Sequence, residues 1–306
     1  MNHIKQLKSI QQASGWSQAQ LASQLGVSFA TLNSWINNRS SPRAKALLII
    51  KKLYLDTVGV EEVDEKELLR AKQVALKLRT SAKMIMEDKD KLKRLALYLT
   101  YHTNTIEGST MTLSDVQDVI FDDKVLPNRT AIEQAEARNH QATLYWLLDE
   151  LTTQNNSFVI DEALILNIHL RLMNGIISDA GQYRRHPVRI AGSPVLLANW
   201  KLIPGLVSEL TYGLQSVAGD PIKVIVNTHA RFEQIHPFSD GNGRTGRLIM
   251  LAQALKAGFV PPLVLKEKKY AYYKYLERAQ SESEYKTLEL FISESMKTAN
   301  VLLNEE

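Results

Sequence analysis

Cysteine is absent from the 306-residue chain, which excludes disulfide bonds and thiolate metal sites. No run of about 18 apolar residues occurs, so a membrane-spanning helix is not expected. The first thirty residues lack the charged start and apolar middle of a signal peptide. Hydrophobic residues make up 44% of the chain, which is ordinary for a protein with a packed core. These features predict a cytoplasmic protein without a membrane partner.

Acidic residues are absent from the first 55 positions, which hold seven of the 37 Lys and Arg residues. The rest of the chain carries 30 basic and 33 acidic residues, so the formal net charge of +4 arises entirely from this short segment. A basic segment ahead of a mildly acidic body predicts a polyanion as its partner.

Helical periodicity dominates the remaining pattern, and apolar residues alternate only near residues 183–196. Composition divides the chain into three zones: a basic module (1–56), a charged connecting helix (57–90) and a domain of full size (91–306). We therefore expect an all-α fold: a helical core with one small β-hairpin, and a separate N-terminal module of three to five helices.

The basic module has the pattern of a helix-turn-helix. Ser17 and Ser28 are placed as N-caps of two short helices, and Gly26 ends the first of them. Two helices that cross at a short turn would bury six apolar residues. These are Leu21, Ala22, Leu25, Val27, Leu32 and Trp35.

This pattern resembles the lambda-repressor-like (Xre) class of DNA-binding domains. The resemblance implies that Gln18 meets a phosphate and that other residues face the major groove or the DNA backbone. The implied contacts are Gln18, Ser28, Phe29, Ala30, Asn33 and Arg39, extended by Asn37 and Arg43. A three-helix adaptor that binds protein, or no ligand, is the alternative.

Residues 236–247, HPFSDGNGRTGR, join two apolar-periodic helices through a glycine-containing loop. Glycines at 241 and 243 allow the backbone to approach a ligand closely, and the N-terminus of the following helix favours an anion. Arg244 and Arg247 are three residues apart, so both project from one side of the first turns and suit phosphate oxygens.

The same segment offers a base and a metal ligand. His236 is the side chain here that accepts a proton near neutral pH, and Asp240 is a hard oxygen ligand for the Mg²⁺ that accompanies a polyphosphate. The loop therefore predicts phosphoryl or nucleotidyl transfer, without a P-loop, because no GxxxxGK[ST] sequence occurs.

The segment resembles the Fic signature H-x-F-x-[DE]-G-N-G-R-x-x-R at every fixed position, and the similarity extends from about residue 95 to 280. The resemblance implies a protein adenylyltransferase that moves AMP from ATP onto a Ser, Thr or Tyr hydroxyl, with His236 as general base and Asp240 as Mg²⁺ ligand. It also implies five residues that bind the triphosphate. These are Gly241, Asn242, Gly243, Arg244 and Arg247.

A second motif lies in the helix expected near 92–108, where Thr103-Asn-Thr-Ile-Glu107-Gly108 is similar to the [ST]-x-x-x-E-[GN] inhibitory motif of many Fic proteins. Thr103 and Glu107 are four residues apart and lie on one side of the helix. The resemblance implies that Glu107 pairs with Arg247 and keeps it from the γ-phosphate. The chain is thus similar to the intramolecularly inhibited class.

Residues 181–193 correspond to the β-hairpin flap of the family, which receives the target as an added strand, and Gly181 and Arg184 match its G-x-x-R. Tyr272 and Tyr273 stand where the family often places an aromatic near the adenine, although core packing explains them equally well. His169 and His229 are expected in the core, and His186 has no assigned role.

Alternative functions stay open. A DNA-binding regulator whose second domain senses nucleotide would not need the base His236, and a Fic enzyme that mainly removes AMP would use Glu107 to direct water. The sequence does not determine which protein is the target, and the chain itself is one candidate. It also leaves open the DNA operator and whether the protein forms a homo-oligomer.

Overall fold

A computed structural model describes residues 2–190, 192–215 and 219–305. Contacts divide these residues into two units. The first contains the residues up to Val63 together with Glu267–Leu276, and the second contains Asp64–Lys266 together with the residues from Glu277 onward.

The first unit begins with four helices: α1 (His3–Ser14), α2 (Gln18–Gln24), α3 (Phe29–Ile36) and α4 (Ala44–Thr57). Ser17 and Ser28 cap α2 and α3 as predicted, and Gly26 has the left-handed φ of 66° that ends the turn between them. Five of the six apolar residues expected in the core are buried, and Val27 is half-buried. The helix-turn-helix pattern therefore forms as a packed unit.

Residues 267–276 also pack within the first unit. Tyr275 accepts a hydrogen bond from the backbone N–H of Val60 at 2.7 Å through its hydroxyl, and the Tyr270 ring meets the Trp16 ring edge-on at 5.9 Å. These residues include most of the helix Lys269–Ser281, which is α14 in chain order. Its remaining residues, from Glu277 onward, belong to the second unit.

The second unit consists of helices joined by irregular segments in its described residues. Its helices are α5 (Glu65–Ala75), α6 (Ala82–Glu87), α7 (Lys89–Ile106), α8 (Leu113–Phe121), α9 (Ala131–Gln154), α10 (Glu162–Met173), α11 (Ile203–Gln215), α12 (Pro221–Ile235), α13 (Asn242–Lys256), the last part of α14 and α15 (Lys286–Asn304). Side chains of α7, α9, α10, α12 and α13 form most of its core. The all-α prediction is confirmed, and the described residues contain no helix with the length and apolar character that crossing a bilayer requires.

The single connecting helix expected over 57–90 is wrong. Two short helices, α5 and α6, occupy this zone, and α5 packs along α15 with Leu68, Ala71 and Ala75 buried. The charged composition did not reveal this apolar stripe. Half-buried Lys72 pairs with the carboxylates of Asp220 and Glu289. Residues 64–90 are part of the packed second unit, and residues 57–63 belong to the first.

The hairpin is also wrong for the described residues 181–190 and 192–193; Ala191 lies outside them. This segment contains turns and bends and forms no strand ladder. Its backbone bonds elsewhere: the Arg184 N–H donates to Pro237 O at 2.9 Å, and Ser193 N–H closes a turn on Ile190 O. An isolated two-stranded hairpin is marginal, so contacts with the rest of the unit decide the conformation.

Candidate active site

The loop that joins α12 to α13 is held by its own side chains. Asn242 accepts a hydrogen bond from the Phe238 N–H and donates one to the Phe238 carbonyl, both at 2.9 Å. The Phe238 ring is fully buried and stacks on His169 at 3.6 Å between centroids. Because both polar ends of the Asn242 side chain bond within the loop, its predicted ligand contact is left to its backbone N–H.

His169 fixes the loop from the other side. The Gly181 N–H donates to its Nδ1 at 2.9 Å, so the proton is on Nε2, which donates to the Asp240 carbonyl at 3.0 Å. Burial lowers the pKa of His169 to about 4. His169 is therefore a neutral, buried support of the loop, and the core placement predicted for it is correct.

His236 ends α12 in a left-handed conformation, with φ 50° and ψ 62°. Its Nδ1 lies 3.2 Å from the backbone carbonyl of Glu233. A carbonyl only accepts, so Nδ1 carries the proton and Nε2 keeps its lone pair. Burial lowers the pKa of His236. The imidazole is thus neutral near pH 7, in the tautomer that a general base requires.

Arg184 is fully buried and fixes the position of His236. Its guanidinium donates to the carbonyls of His236 at 2.8 Å, His186 at 2.7 Å and Ala198 at 2.7 Å. It therefore fastens the segment before α11 to the end of α12. The sequence analysis identified Arg184 by its match to the G-x-x-R pattern but did not predict these contacts.

The start of α13 is arranged for an anion. Gly241 is its N-cap, with φ 77°, and no side chain caps the helix. The first N–H groups of an α-helix have no acceptor within the helix, so those of Asn242 and Gly243 remain for a ligand. Arg244 and Arg247 belong to the first two turns of the same helix.

Asp240 fits a cation that arrives with a polyphosphate. Its side chain is 61% exposed, and Oδ1 accepts the Gly241 N–H at 2.6 Å, which orients the carboxylate. Within residues 2–190, 192–215 and 219–305, no three acidic or histidine side chains form a metal cluster. A cation here would therefore complete its coordination with phosphate oxygens and water, as Mg²⁺ does.

Arg247 is held by the predicted inhibitory residues. Its Nε donates to Thr103 Oγ1 at 2.7 Å, and Nη2 donates to the Glu107 carboxylate. The guanidinium is 8% exposed and Glu107 is 30% exposed. The structure thus brings together three residues that the sequence separates by up to 144 positions.

Arg244 is paired as well. Nη1 lies 2.5 Å from Glu136 Oε1 on α9, and Nη2 lies 3.5 Å from Asp240 Oδ2. Its side chain is only 3% exposed. Sequence reasoning missed Glu136, which appears in the chain as one more charged residue of a long helix.

Glu233 is a second acidic residue that the sequence did not single out. Its side chain is 10% exposed, and Oε2 lies 3.9 Å from His236 Nδ1. Burial raises its pKa to about 8, with a further increase from Glu107 that opposes the lowering by Arg247. Glu233 is therefore neutral at pH 7, directly beside the candidate base.

Other predicted residues fall into the core or onto the surface. Burial, with Arg247 nearby, lowers the pKa of His229 to about 3, as expected for a core histidine. Tyr272 is buried and Tyr273 is 41% exposed. His186 is exposed.

The predicted DNA-contacting residues share one region of α2 and α3. Asn33 donates to Gln18 Oε1 at 3.3 Å, and Asn37 donates to Asn33 Oδ1 at 3.1 Å. Phe29 is 54% exposed. Ser28, Ala30 and Arg39 are also exposed, whereas Gln18 and Asn33 are half-buried. The amides of Gln18 and Asn33 and the exposed ring of Phe29 thus lie in the same two helices.

Comparison with known proteins finds a family match in each of the two parts of the chain. Residues 159–254 match the Fic/DOC family, and residues 7–54 match a helix-turn-helix family. Two curated relatives are protein adenylyltransferases Fic. The one from Nematostella vectensis is 28% identical over 81% of this chain and 56% of its own length, and the one from Aedes aegypti is 28% identical over 72% and 44%. The chain thus spans about half the length of these relatives.

Solved structures agree on the fold. Fic-1 from C. elegans superposes with a TM-score of 0.66 at 20% identity, covering 92% of this chain and 83% of its own. A Fic family protein from Desulfovibrio desulfuricans G20 superposes with a TM-score of 0.61 at 25% identity, covering 78% and 74%. The chain is therefore similar to Fic/DOC proteins over residues 159–254 and to helix-turn-helix domains over residues 7–54.

Proposed function

We propose that the protein is an adenylyltransferase that moves AMP from ATP to a Ser, Thr or Tyr hydroxyl of a protein. One observation carries the proposal: His236 presents a neutral Nε2 lone pair beside the uncapped start of α13 and its two arginines. A base, an anion site and positive charge in one loop suit nucleotidyl transfer. The activity named for the curated relatives points the same way.

In the proposed reaction the target hydroxyl oxygen attacks the α-phosphorus. The bond from that phosphorus to the α–β bridging oxygen breaks, and pyrophosphate leaves. His236 Nε2 takes the hydroxyl proton, while Nδ1–H stays on the Glu233 carbonyl. The N–H groups at the start of α13 bind phosphate oxygens. A Mg²⁺ ion held by Asp240 would neutralise phosphate charge when bound.

Glu107 is proposed to inhibit this reaction within the chain. Its carboxylate pairs with the Arg247 guanidinium, which then has a fixed anionic partner in place of the γ-phosphate. Thr103 adds a hydrogen bond to Nε of the same arginine. A nucleotide would therefore bind without the alignment that transfer requires.

DNA is proposed as the partner of the N-terminal domain, because a basic segment without acids carries an exposed Phe29 and a polar pair on its recognition helices. This contact would operate in the cytoplasm, where we expect the protein to act.

The proposed activity is tested with ATP labelled at the α-phosphate, Mg²⁺ and cell lysate, using the wild-type protein, Glu107→Gly and Glu107→Gly/His236→Ala. We expect label on protein, including the chain itself, that is strongest for Glu107→Gly and lost with His236→Ala. Nucleotide affinity should survive the alanine change, because the base acts only as the hydroxyl attacks.

Two outcomes would favour the alternatives. Nucleotide binding without label transfer by Glu107→Gly would indicate a nucleotide-sensing regulator. Release of label from a pre-modified target by the wild-type protein, at a rate above its transfer, would indicate removal of AMP as the main direction.

A further inference from the structure

The two arginines of the loop are paired in different ways. Glu107, the partner of Arg247, is the C-cap of α7, and its side chain is 30% exposed. Glu136, the partner of Arg244, lies within α9, and these two side chains are 16% and 3% exposed. The first pair is able to open toward solvent, whereas opening the second would leave an uncompensated charge in the interior.

Arg244 stands between two carboxylates with different surroundings. Glu136 contacts Nη1 from the buried side at 2.5 Å, and Asp240 faces Nη2 from the exposed side at 3.5 Å. The stronger contact is thus with the buried partner. Asp240 Oδ1 accepts the Gly241 N–H, and Oδ2 accepts only a long hydrogen bond from Arg244 Nη2 at 3.5 Å. The carboxylate is 61% exposed, so its open face is accessible to a ligand.

No other charge on α9 takes the place of Glu136 at this point. His140 lies one turn further along the same helix and bonds Thr100 at 2.8 Å. Burial, together with Arg247 and Arg244, lowers its pKa to about 3, so it is neutral near pH 7. Without Glu136, Asp240 would be the carboxylate in contact with the buried guanidinium, and Coulomb attraction would draw it inward.

We propose that Glu136 is a positioning residue that neutralises Arg244 and so leaves Asp240 free to bind the divalent cation that accompanies the nucleotide. The inference rests on the proposed function, since it needs a polyphosphate at α13. It assigns the two arginine pairs opposite roles: loss of Glu107 should activate the site, and loss of Glu136 should impair its use of the cation.

The test measures binding of a non-hydrolysable ATP analogue to full-length protein, in EDTA and in Mg²⁺, for the wild type and Glu136→Gln. Glutamine retains the shape and removes the charge. We expect metal-free affinity to stay equal or rise, because the site becomes more positive. The increase in affinity on adding Mg²⁺ should fall about tenfold, because Arg244 then competes for Asp240.

Two further variants keep the proposal falsifiable. Asp149→Asn removes one exposed charge from the same helix and should leave the Mg²⁺ effect unchanged. Glu136→Gln/Arg244→Gln removes both buried charges, so it should fold even if the single variant does not. The double variant should lose metal-free affinity yet recover the full Mg²⁺ effect.

An unchanged Mg²⁺ effect in Glu136→Gln, or a double variant that loses it, would overturn the role of Glu136 while leaving the proposed function intact. An equal loss of affinity in both buffers, with a lowered Tm, would show a structural role only. A wild-type protein that binds no nucleotide in either buffer would overturn both proposals.

Discussion

The carboxylate of Glu107 occupies the space in which a side chain at position 243 would begin. A Cβ on Gly243 would overlap Glu107 Oε1 and would lie 3.1 Å from Arg247 Nη1. The absence of a side chain at Gly243 therefore gives the Glu107 carboxylate room beside Arg247.

Gly243→Ala should consequently displace Glu107. The wild-type background should lose about 1–3 kcal/mol of unfolding free energy, as overpacked sites do. The Glu107→Gly background should lose much less, because the overlapping carboxylate is gone. Urea unfolding of the four proteins measures this coupling. The same cost in both backgrounds would mean that the two residues do not compete for space.

Glu107→Gly should raise AMP transfer, including self-modification, by orders of magnitude, because Arg247 becomes available to the γ-phosphate. Glu107→Gln is the matched control, since it keeps the side chain and removes the charge, and it should activate to a similar degree. Adding Arg247→Ala should cancel the gain. Label incorporation measures all three, and unchanged activity in a folded Glu107→Gly protein would refute inhibition by this pair.

Glu233→Gln should stabilise the protein increasingly as the pH rises. The pKa of Glu233 is about 8 in the folded chain, against an ordinary value of 4.5. Between these values the unfolded chain ionises while the folded chain does not, so wild-type stability falls with rising pH by up to about 1.4 kcal/mol per pH unit. Glutamine does not titrate.

The measurement is the unfolding free energy of both proteins at pH 5 and pH 8. The difference in favour of Glu233→Gln should be larger at pH 8. A difference that does not change with pH would show that Glu233 titrates normally.

Arg39→Ala should weaken DNA binding uniformly across sequences and reduce the slope of log affinity against log salt by about one. Asn33→Ala should instead reduce discrimination between sequences. Lys8→Ala removes an equal charge from the exposed face of α1 and should matter less. Point variants are preferable to deletion of residues 1–56, because the deletion would remove Trp16, the ring partner of Tyr270. If Arg39→Ala and Asn33→Ala bind DNA with the affinity and sequence preference of the wild type, these contacts are refuted.

Local patterns carried most of what the sequence predicted. The caps at Ser17 and Ser28 and the loop at 236–247 depend on neighbours within a few positions, and they form as expected. The Glu107–Arg247 pair spans 140 positions and was reached only because each end carries a motif of its own.

Residues without such a motif were not predictable. Glu136 meets its arginine across 108 positions, and only the packing of α9 on α13 brings them together. Glu233 differs from other glutamates of the chain in being buried, and the burial of a polar helix residue cannot be read from the sequence. The prediction of a hairpin was wrong because alternation of apolar residues is a local pattern, whereas a strand ladder needs a partner strand. In this segment the Arg184 N–H donates to the Pro237 carbonyl instead.

Both members of the Glu107–Arg247 pair belong to one chain and one packed unit. Their encounter is therefore a first-order event whose equilibrium does not depend on how much protein is present. Dilution in a cell, or scarcity during early synthesis, would leave the held fraction unchanged. A ligand or partner that binds the open form of the folded chain more tightly would shift this equilibrium.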